Sequence, residues 1–288
     1  MGASYGCQSM VDPLRRVLVK RPDASFAVQD PAAWHYTGRP DLGIAQAEHD
    51  AFVALLRNAG VEVVYHDVAQ PGRADAIFVH DPAIVTDRGA ILLRMGKALR
   101  EGEEVAIGRR LEEIDVPIFY ELHGDARAEG GDLLWIDHDT LAVGQGFRTN
   151  AEGLRQLQEA LTPLGVRTIS ADLPYGQGPD ACLHLMSLIS LVRPNLAVIY
   201  EPLLPTPLHE FLASSGMRFV LVPDEEFDTM GCNVLAVAPG ECIMLEGNPM
   251  TKLRLERAGC RVHTYRGNEV SLKAEGGPTC LTRPILRR

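Results

Sequence analysis

Short apolar runs occur in pairs along the chain, and each pair brackets a turn of polar, glycine or proline residues. Paired runs of this length around turn residues are typical of β-hairpins. The four pairs are residues 83–85 with 91–93, 133–135 with 141–143, 188–192 with 196–199, and 234–237 with 242–245. The sequence therefore predicts four hairpins, although the run at 188–192 also fits the continuation of a helix.

A helix and one further strand are predicted after every hairpin. Helical spacing of apolar residues indicates helices at 99–114, 151–164, 207–215 and 249–258. Apolar runs follow these helices at 118–119, 166–169, 219–222 and 262–265. This ββαβ order returns with a period of roughly 50 residues, the upper end of what repeat architectures use. Four complete units are therefore predicted.

The remaining segments supply a fifth unit. A strand is predicted at 16–20, a helix at 44–59 and a strand at 61–65, and the last apolar run, 281–286, is placed to pair with the first strand. Five units joined head to tail form a ring, which removes edge strands. We therefore predict an α/β fold with residues 1–288 in a single domain. The aperiodic segment 26–42 fits either a lid over a site or a surface loop.

Composition and charge narrow the classes of partner. The 288 residues are 46% hydrophobic and carry a formal net charge of −10, and the 28 Lys and Arg residues are scattered. These values indicate a globular protein with a large core, disfavour a nucleic-acid partner and fit a small polar substrate. No apolar run approaches the ~20 residues of a membrane-spanning helix, and the first residues match neither a signal peptide nor a myristoylation site. We expect no membrane partner and a cytoplasmic location.

Six cysteines are spread along the chain without a Cys-x-x-Cys pair, so neither a zinc knuckle nor a disulfide framework is indicated. Cys280 follows a Gly-Gly-Pro turn, whose glycines permit positive φ or a close approach and whose proline stiffens the chain. Such an elbow fixes the position of a nucleophilic sulfur, but a buried, inert cysteine at the start of a strand is the alternative. The others are interpreted as small apolar residues: Cys7, Cys182, Cys232, Cys242 and Cys260.

The segments that lead into the five hairpins carry the chemistry. In a ring of similar units, equivalent segments meet at the axis, so side chains that are distant in sequence converge there. The five segments are residues 75–81, 129–132, 182–184, 228–233 and 276–280. This convergence favours a functional role for Cys280, because it would bring a histidine and two carboxylates around the sulfur.

The converging residue types suit covalent catalysis. A histidine such as His184 stabilises a thiolate or shuttles its proton, and a carboxylate such as Glu129 orients that histidine. Asp81, buried near the axis, requires a cationic partner, which a planar guanidinium ligand would supply. Arg100 and Arg148 are candidates for holding a substrate carboxylate.

Four sequence motifs occur in a fixed order over almost the whole chain: Phe-Val-His-Asp-Pro-Ala at 78–83, Glu-Gly-Gly-Asp at 129–132 followed by Phe-Arg-Thr-Asn at 147–150, Leu-His-Leu-Met-Ser at 183–187, and Gly-Gly-Pro-Thr-Cys-Leu-Thr at 276–282. As an ordered set they resemble the arginine deiminase and amidinotransferase superfamily of guanidine-modifying enzymes, nearest to the dimethylarginine dimethylaminohydrolase branch. The resemblance implies a five-bladed pseudosymmetric α/β propeller, the pentein fold.

The resemblance also implies roles for single residues. Cys280 would be the nucleophile, His184 the general acid and base, and Glu129 the carboxylate that orients the histidine. Asp81 would bind the guanidinium group, with His80 beside it. The positions that match the site for the amino-acid end of the substrate are Asp75, Arg100 and Arg148.

The implied reaction is cysteine-dependent hydrolysis of a guanidine C–N bond. Methylated arginine would give citrulline and an alkylamine through a covalent thiouronium intermediate, with no metal or organic cofactor. Two departures leave the substrate open. Met186 stands where deiminases and amidinotransferases carry an aspartate, and His80 stands where the methylarginine branch commonly carries an acid.

Other functions stay open beside this one. The chain could be a deiminase or dihydrolase of arginine or another guanidino compound, an amidinotransferase, or a non-catalytic guanidine-binding protein. A homodimer is also left open.

Three further features have simpler interpretations. Histidines and aspartates at 80–81, 123 and 138–139 suggest a metal, but their spacings fit no ligand pattern, so solvated turn residues are favoured. The charged run 100–104 is interpreted as a solvated helix start, apart from Arg100. Cys232 and Asn233 fall in the fourth convergent segment and could line the site, although core packing is expected of Cys232.

Overall fold

The computed structural model describes residues 4–28, 30–179 and 181–288, and the strands in these ranges form five separate three-stranded sheets. The strands are β1 (Leu14–Val19), β2 (Glu62–Tyr65), β3 (Ala83–Thr86), β4 (Gly89–Leu92), β5 (Ile118–Glu121), β6 (Leu133–Asp137), β7 (Thr140–Gln145), β8 (Arg167–Asp172), β9 (Ile189–Arg193), β10 (Leu196–Ile199), β11 (Arg218–Leu221), β12 (Leu235–Ala238), β13 (Glu241–Leu245), β14 (Arg261–Tyr265) and β15 (Arg283–Arg287). The α-helices are α1 (Leu42–Asn58), α2 (Glu103–Glu113), α3 (Ala151–Leu161), α4 (Thr206–Ser214) and α5 (Pro249–Arg257).

Every sheet has the same topology. Two strands pair antiparallel as a hairpin, and the second of them pairs parallel with a strand that follows a helix. The four predicted hairpins are confirmed, and so is the fifth, in which β15 pairs with β1 and Leu14 lies opposite Arg287. The fold is therefore the predicted five-unit pseudosymmetric α/β propeller of ββαβ units.

Two local predictions and one alternative were wrong. The run at 188–192 does not continue a helix, because Leu185–Ser187 is a single 3-10 turn that leads into β9. The second helix begins at Glu103 instead of residue 99, because Gly102 takes a left-handed conformation with φ of 90°. Glu103 is also only 1% exposed, so the run 100–104 is not a fully solvated helix start.

Side chains at the helix starts and on the helix faces explain the position of the helices. Asp41 caps α1 by accepting a hydrogen bond from the amide of Ile44, and Asn150 caps α3 in the same way through the amide of Gly153. Apolar residues of α1 recur at helical spacing and are buried. Among them, the ring of Phe52 lies 4.9 Å from that of Tyr265 on β14, so α1 packs onto the neighbouring blade. No helix in the described ranges is long and apolar enough to cross a membrane.

The turns that lead into the hairpins meet at the centre, where hydrogen bonds join each unit to the next. These bonds run from Gly130 N to Asp81 O (2.9 Å), from Leu185 N to Asp132 Oδ1 (2.9 Å), from Ser190 Oγ to Cys232 O (2.6 Å), from Thr279 N to Asn233 Oδ1 (3.0 Å) and from His80 N to Cys280 O (3.2 Å). We call this set the axial ring. It closes on itself, because His80 in the last bond belongs to the same unit as Asp81 in the first.

We expect Phe52→Ala to lower the free energy of unfolding by about 3–5 kcal/mol, since a fully buried aromatic ring that joins two blades would be lost. Denaturant unfolding followed by circular dichroism measures this change. The matched control is Ile44→Ala on the same helix, where the side chain is 51% exposed and a change within about 0.5 kcal/mol is expected. Equal losses in the two variants would contradict the packing described for α1.

Candidate active site

The axial ring gathers ionisable side chains from four of the five units. A carboxylate oxygen of Asp81, one of Glu129 and an imidazole nitrogen of His184 lie within 4.8 Å of one another, and all three residues are buried. Two cavities, of about 30 and 170 Å³, border this group, and both are lined by His184 and by Cys280. The structure thus brings together the four residues for which the sequence predicts catalytic or guanidinium-binding roles: Asp81, Glu129, His184 and Cys280.

The His184 imidazole is held by the fully buried carboxylate of Glu129. Nε2 of His184 lies 2.7 Å from Oε2 of Glu129. The other carboxylate oxygen accepts the amides of Gly96 (2.8 Å) and Lys97 (3.1 Å), and Nη1 of Arg148 lies 3.1 Å from Oε2. Burial would raise the pKa of Glu129, but the hydrogen bond from His184 and the charge of Arg148 hold it well below its usual value.

Neighbouring acidic groups favour the protonated form of the imidazole. Burial alone would lower the pKa of His184, but Cys182, Asp132 and Glu129 outweigh burial and raise it well above its ordinary value. Sγ of Cys182 lies 3.7 Å from Nδ1. The direction of this pKa shift suits a group that donates a proton.

Asp132 positions the segment that carries His184. Its carboxylate accepts the amide of Leu185 at 2.9 Å and the hydroxyl of Thr149 at 2.6 Å, and burial raises its pKa to about 6. A side chain at Gly131 would overlap the His184 ring, so glycine is required for this close approach. The sequence analysis gave Asp132 no role, although it closes the Glu-Gly-Gly-Asp motif.

The Gly-Gly-Pro elbow holds Cys280 by close packing. A side chain at Gly276 would overlap the ring of Phe78, and the positive φ of this turn belongs to Glu275 (57°). Asn233 holds the two residues that follow the elbow, since Nδ2 donates to Sγ of Cys280 at 3.3 Å and Oδ1 accepts the amide of Thr279 at 3.0 Å. The sequence analysis placed Asn233 in the right segment but did not identify this role; Cys232 is buried, as expected.

At rest the sulfur of Cys280 is a neutral thiol. Burial, followed by the negative charge of Asp81, raises the pKa of Cys280 to about 11, against the opposing effects of His184 and Asn233. The side chain is nevertheless partly exposed to the cavities. A positive charge placed beside the sulfur would lower this pKa.

Asp81 already has a cationic partner within the protein. Its Oδ2 lies 2.6 Å from Nη1 of Arg100, and Oδ1 accepts the amide of Gly131 at 3.0 Å. Burial opposes ionisation of Asp81, but the charges of Arg100 and His184 lower its pKa overall. Arg100 is also bonded to Glu103 at 2.8 Å, so its counter-ions are internal. The sequence motifs instead predict that a guanidinium ligand supplies this cation.

The residues that the sequence analysis assigned to the amino-acid end of a substrate line the smaller cavity: Asp75, Arg100 and Arg148. Asp75 accepts hydrogen bonds from Tyr36 (2.7 Å) and from Lys97 (2.6 Å), two residues that the sequence analysis did not identify. Binding of a substrate by these groups stays a prediction.

The segment 26–42 contributes to the same cavity. Trp34 and His35 line it, and Nζ of Lys97 donates to the carbonyl of Trp34 at 2.8 Å. The amide of Thr37 donates to the carbonyl of Lys273, just before the elbow. The segment thus lies against the site, and residue 29 lies outside the described ranges.

His80 lines the larger cavity as a neutral ring. Its Nδ1 lies 2.8 Å from the carbonyl of Thr282, and burial, reinforced by the charge of Arg283, lowers its pKa to about 3. The exposed His138 bonds Asp12 at 2.7 Å and belongs to no cluster of metal-binding type among the described residues. Within the cluster of Asp81, Glu129 and His184, arginines and the imidazolium already neutralise the carboxylates, so the donor set is that of an ion-paired network rather than a metal site.

Comparison with known proteins gives a family match over most of the chain. Residues 40–285 match the model described as N,N dimethylarginine dimethylhydrolase, eukaryotic. The chain is 28% identical to the N(G),N(G)-dimethylarginine dimethylaminohydrolase of Streptomyces coelicolor over 94% of this chain and 96% of that protein.

Solved structures show the same fold. A mutant of the dimethylarginine dimethylaminohydrolase of Pseudomonas aeruginosa, complexed with citrulline, superposes with a TM-score of 0.77 at 24% identity, covering 94% of this chain and 99% of that one. The amidinotransferase SxtG of Microseira wollei superposes with a TM-score of 0.81 at 16% identity, covering 99% and 98%.

We expect Glu129→Gln to lower the pKa of His184, because the imidazolium loses the carboxylate beside it. The imidazole would then lose its proton at a lower pH than in the unmodified protein. NMR titration of the ring nitrogens measures this shift. Glu121→Gln, at an exposed position of β5, is the matched control, and an equal His184 titration in both variants would contradict the interaction.

Proposed function

The chain belongs to the N,N dimethylarginine dimethylhydrolase family and is a hydrolase acting on C–N bonds of linear amidines, and on that premise we propose that it converts methylated arginine to citrulline and an alkylamine with Cys280 as nucleophile. The observation that carries the proposal is that Cys280 and His184 line the same two cavities, with Asp81 bordering one of them, and the raised pKa of His184 favours its proton-donating form. The proposal treats residues 1–288 as one catalytic domain, since the site draws on several units.

The cationic substrate activates its own nucleophile. Cys280 is a neutral thiol before binding, partly because the charge of Asp81 raises its pKa. A guanidinium beside Asp81 compensates this charge, lowers the pKa of the thiol and favours loss of its proton to solvent. The thiolate then attacks the guanidinium carbon, and the negative charge of Asp81 stabilises the positively charged nitrogens that are not expelled.

His184 serves both halves of the reaction. It first gives its proton to the departing amine nitrogen as the C–N bond breaks, which leaves a thiouronium on Cys280. The neutral imidazole then takes a proton from water, whose oxygen attacks the same carbon and expels the sulfur. Glu129 supports the imidazolium in the first step and fixes the ring for the second.

The remaining assignments concern substrate binding. We assign Asp75, Arg100 and Arg148 to the side of the site that receives the amino-acid end of the substrate, because all three border the smaller cavity. The neutral ring of His80 borders the other cavity, where it offers a hydrogen-bonding group without a charge.

A substrate panel tests the activity. We expect citrulline and methylamine or dimethylamine from methylated arginines, with a lower kcat/KM for arginine and for agmatine. Cys280→Ser should lower kcat at least about 1,000-fold, since the covalent step is lost. Cys260→Ser, outside both cavities, is the control. Full activity of Cys280→Ser would overturn the assignment of the nucleophile, and transfer of the amidino group to an added amine would identify a transferase.

Alkylation of Cys280 tests the protonation state of the thiol. Because the thiolate is the reactive form and the pKa of Cys280 is about 11, the rate with neutral iodoacetamide should rise about tenfold per pH unit from pH 7 to 10. A cationic haloacetamidine should react faster at pH 7, since its charge lowers that pKa. Mass spectrometry of the Cys280 peptide follows both reactions. A rate with iodoacetamide that is already constant at pH 7 would be the contrary result.

A further inference from the structure

The larger of the two cavities has room beyond what a methyl group requires. It measures about 170 Å³ and reaches Cys280 and His184, whereas the cavity bordered by Asp75 and Arg148 measures about 30 Å³. A substrate whose scissile carbon lies at Cys280 therefore faces both spaces. The side of the guanidine that faces Asp75 and Arg148 has little free volume, whereas the side that faces the larger cavity has more.

The wall of the larger cavity is mostly apolar. Met186 stands on the 3-10 turn directly after His184, so its side chain lies beside the group that protonates the leaving amine. The apolar side chains that complete the wall are Leu183, Leu203, Phe227 and Met230. Apolar walls with a few polar groups are typical of sites that bind small organic groups.

The volume sets the size of the group. An apolar cavity of about 150 Å³ holds a benzene molecule, and the larger cavity exceeds this volume. The two carbons of dimethylamine would leave much of the wall without contact. We propose, resting on the function proposed above, that the preferred substrate carries on its scissile guanidine nitrogen an apolar substituent of about four to six carbon atoms.

The rim adds a charge preference. Asp228 and Glu275 line the cavity and are both exposed, so their carboxylates repel an anionic substituent. A neutral alkyl or benzyl group meets no such repulsion. The rim thus disfavours an anionic substituent on the scissile nitrogen, and the apolar wall favours a hydrocarbon group there.

The chemistry is the same as for methylated arginine. The sulfur of Cys280 bonds to the guanidine carbon, the bond from that carbon to the alkylated nitrogen breaks, and His184 supplies the proton to this nitrogen. Water then forms the carbonyl of the ureido product and releases the sulfur. The net reaction consumes one water and gives citrulline and a primary alkylamine.

The test compares Nω-methyl-, propyl-, butyl-, benzyl- and 3-carboxypropyl-arginine by the rate of citrulline formation. Each added methylene should raise kcat/KM roughly threefold to fourfold up to four carbons, and the carboxypropyl compound should fall at least about tenfold below the butyl compound. A flat or falling series overturns the inference while leaving the proposed function intact. No citrulline from any compound, methylarginine included, overturns the proposed function and the inference together.

Variants of the wall confirm where the substituent lies. Leu203→Trp fills the cavity and should lower the ratio of kcat/KM for butylarginine to that for methylarginine at least about tenfold. Leu203→Ala enlarges the cavity and should raise the ratio for benzylarginine to butylarginine, which keeps the test decisive if the tryptophan variant does not fold. Leu253→Trp on α5, outside the cavity, is the matched control. Ratios that are equal in all of these proteins overturn the location.

Discussion

The closed axial ring is the interaction on which the rest of the structure depends. Each unit alone is a three-stranded sheet with one helix, too small to bury both faces, and the ring joins five such units through backbone amides, carbonyls and short polar side chains. The same groups carry the site. Cys280 accepts the bond from His80 that closes the ring, and Asp81 and Asp132 accept the bonds that attach the next unit. A substitution that disturbs the hydrogen bonds at the axis therefore also disturbs the site.

The second constraint is the burial of charge at the axis. Glu129 is fully buried yet has four hydrogen-bond donors directed at its two oxygens, and Asp81 is matched by Arg100 in the same way. An unpaired carboxylate in this position would be strongly destabilising, whereas a paired and fully bonded one is tolerated. The donors are fixed before any substrate arrives, so the site does not have to reorganise when charge develops in the reaction.

The sequence predicted the features that depend on local pattern or on repetition. Hairpins and helices follow from spacing within a few residues, and the convergence of Cys280, His184 and Glu129 follows from the equivalence of their turns. Helix α2 was placed too early, because the left-handed Gly102 looks like any glycine in a charged run. The roles of Asn233 and Lys97 were missed because a side-chain contact between distant segments leaves no periodic signal. The pairing of Arg100 with Asp81 was missed for the same reason, and so was the cavity beside Met186, since its volume depends on side chains from several units.

The pairing of β15 with β1 bears on the connectivity of the fold. One blade is assembled from two separate parts of the chain, yet its strand order equals that of the other four. The strand order of the sheets therefore does not show at which blade the chain begins. A peptide linker between these two strands, with a new opening at the turn of another hairpin such as Asp87, would give a circular permutant with every strand pair preserved. The arrangement of strands is in this sense cyclic, and it is compatible with a chain break in more than one blade.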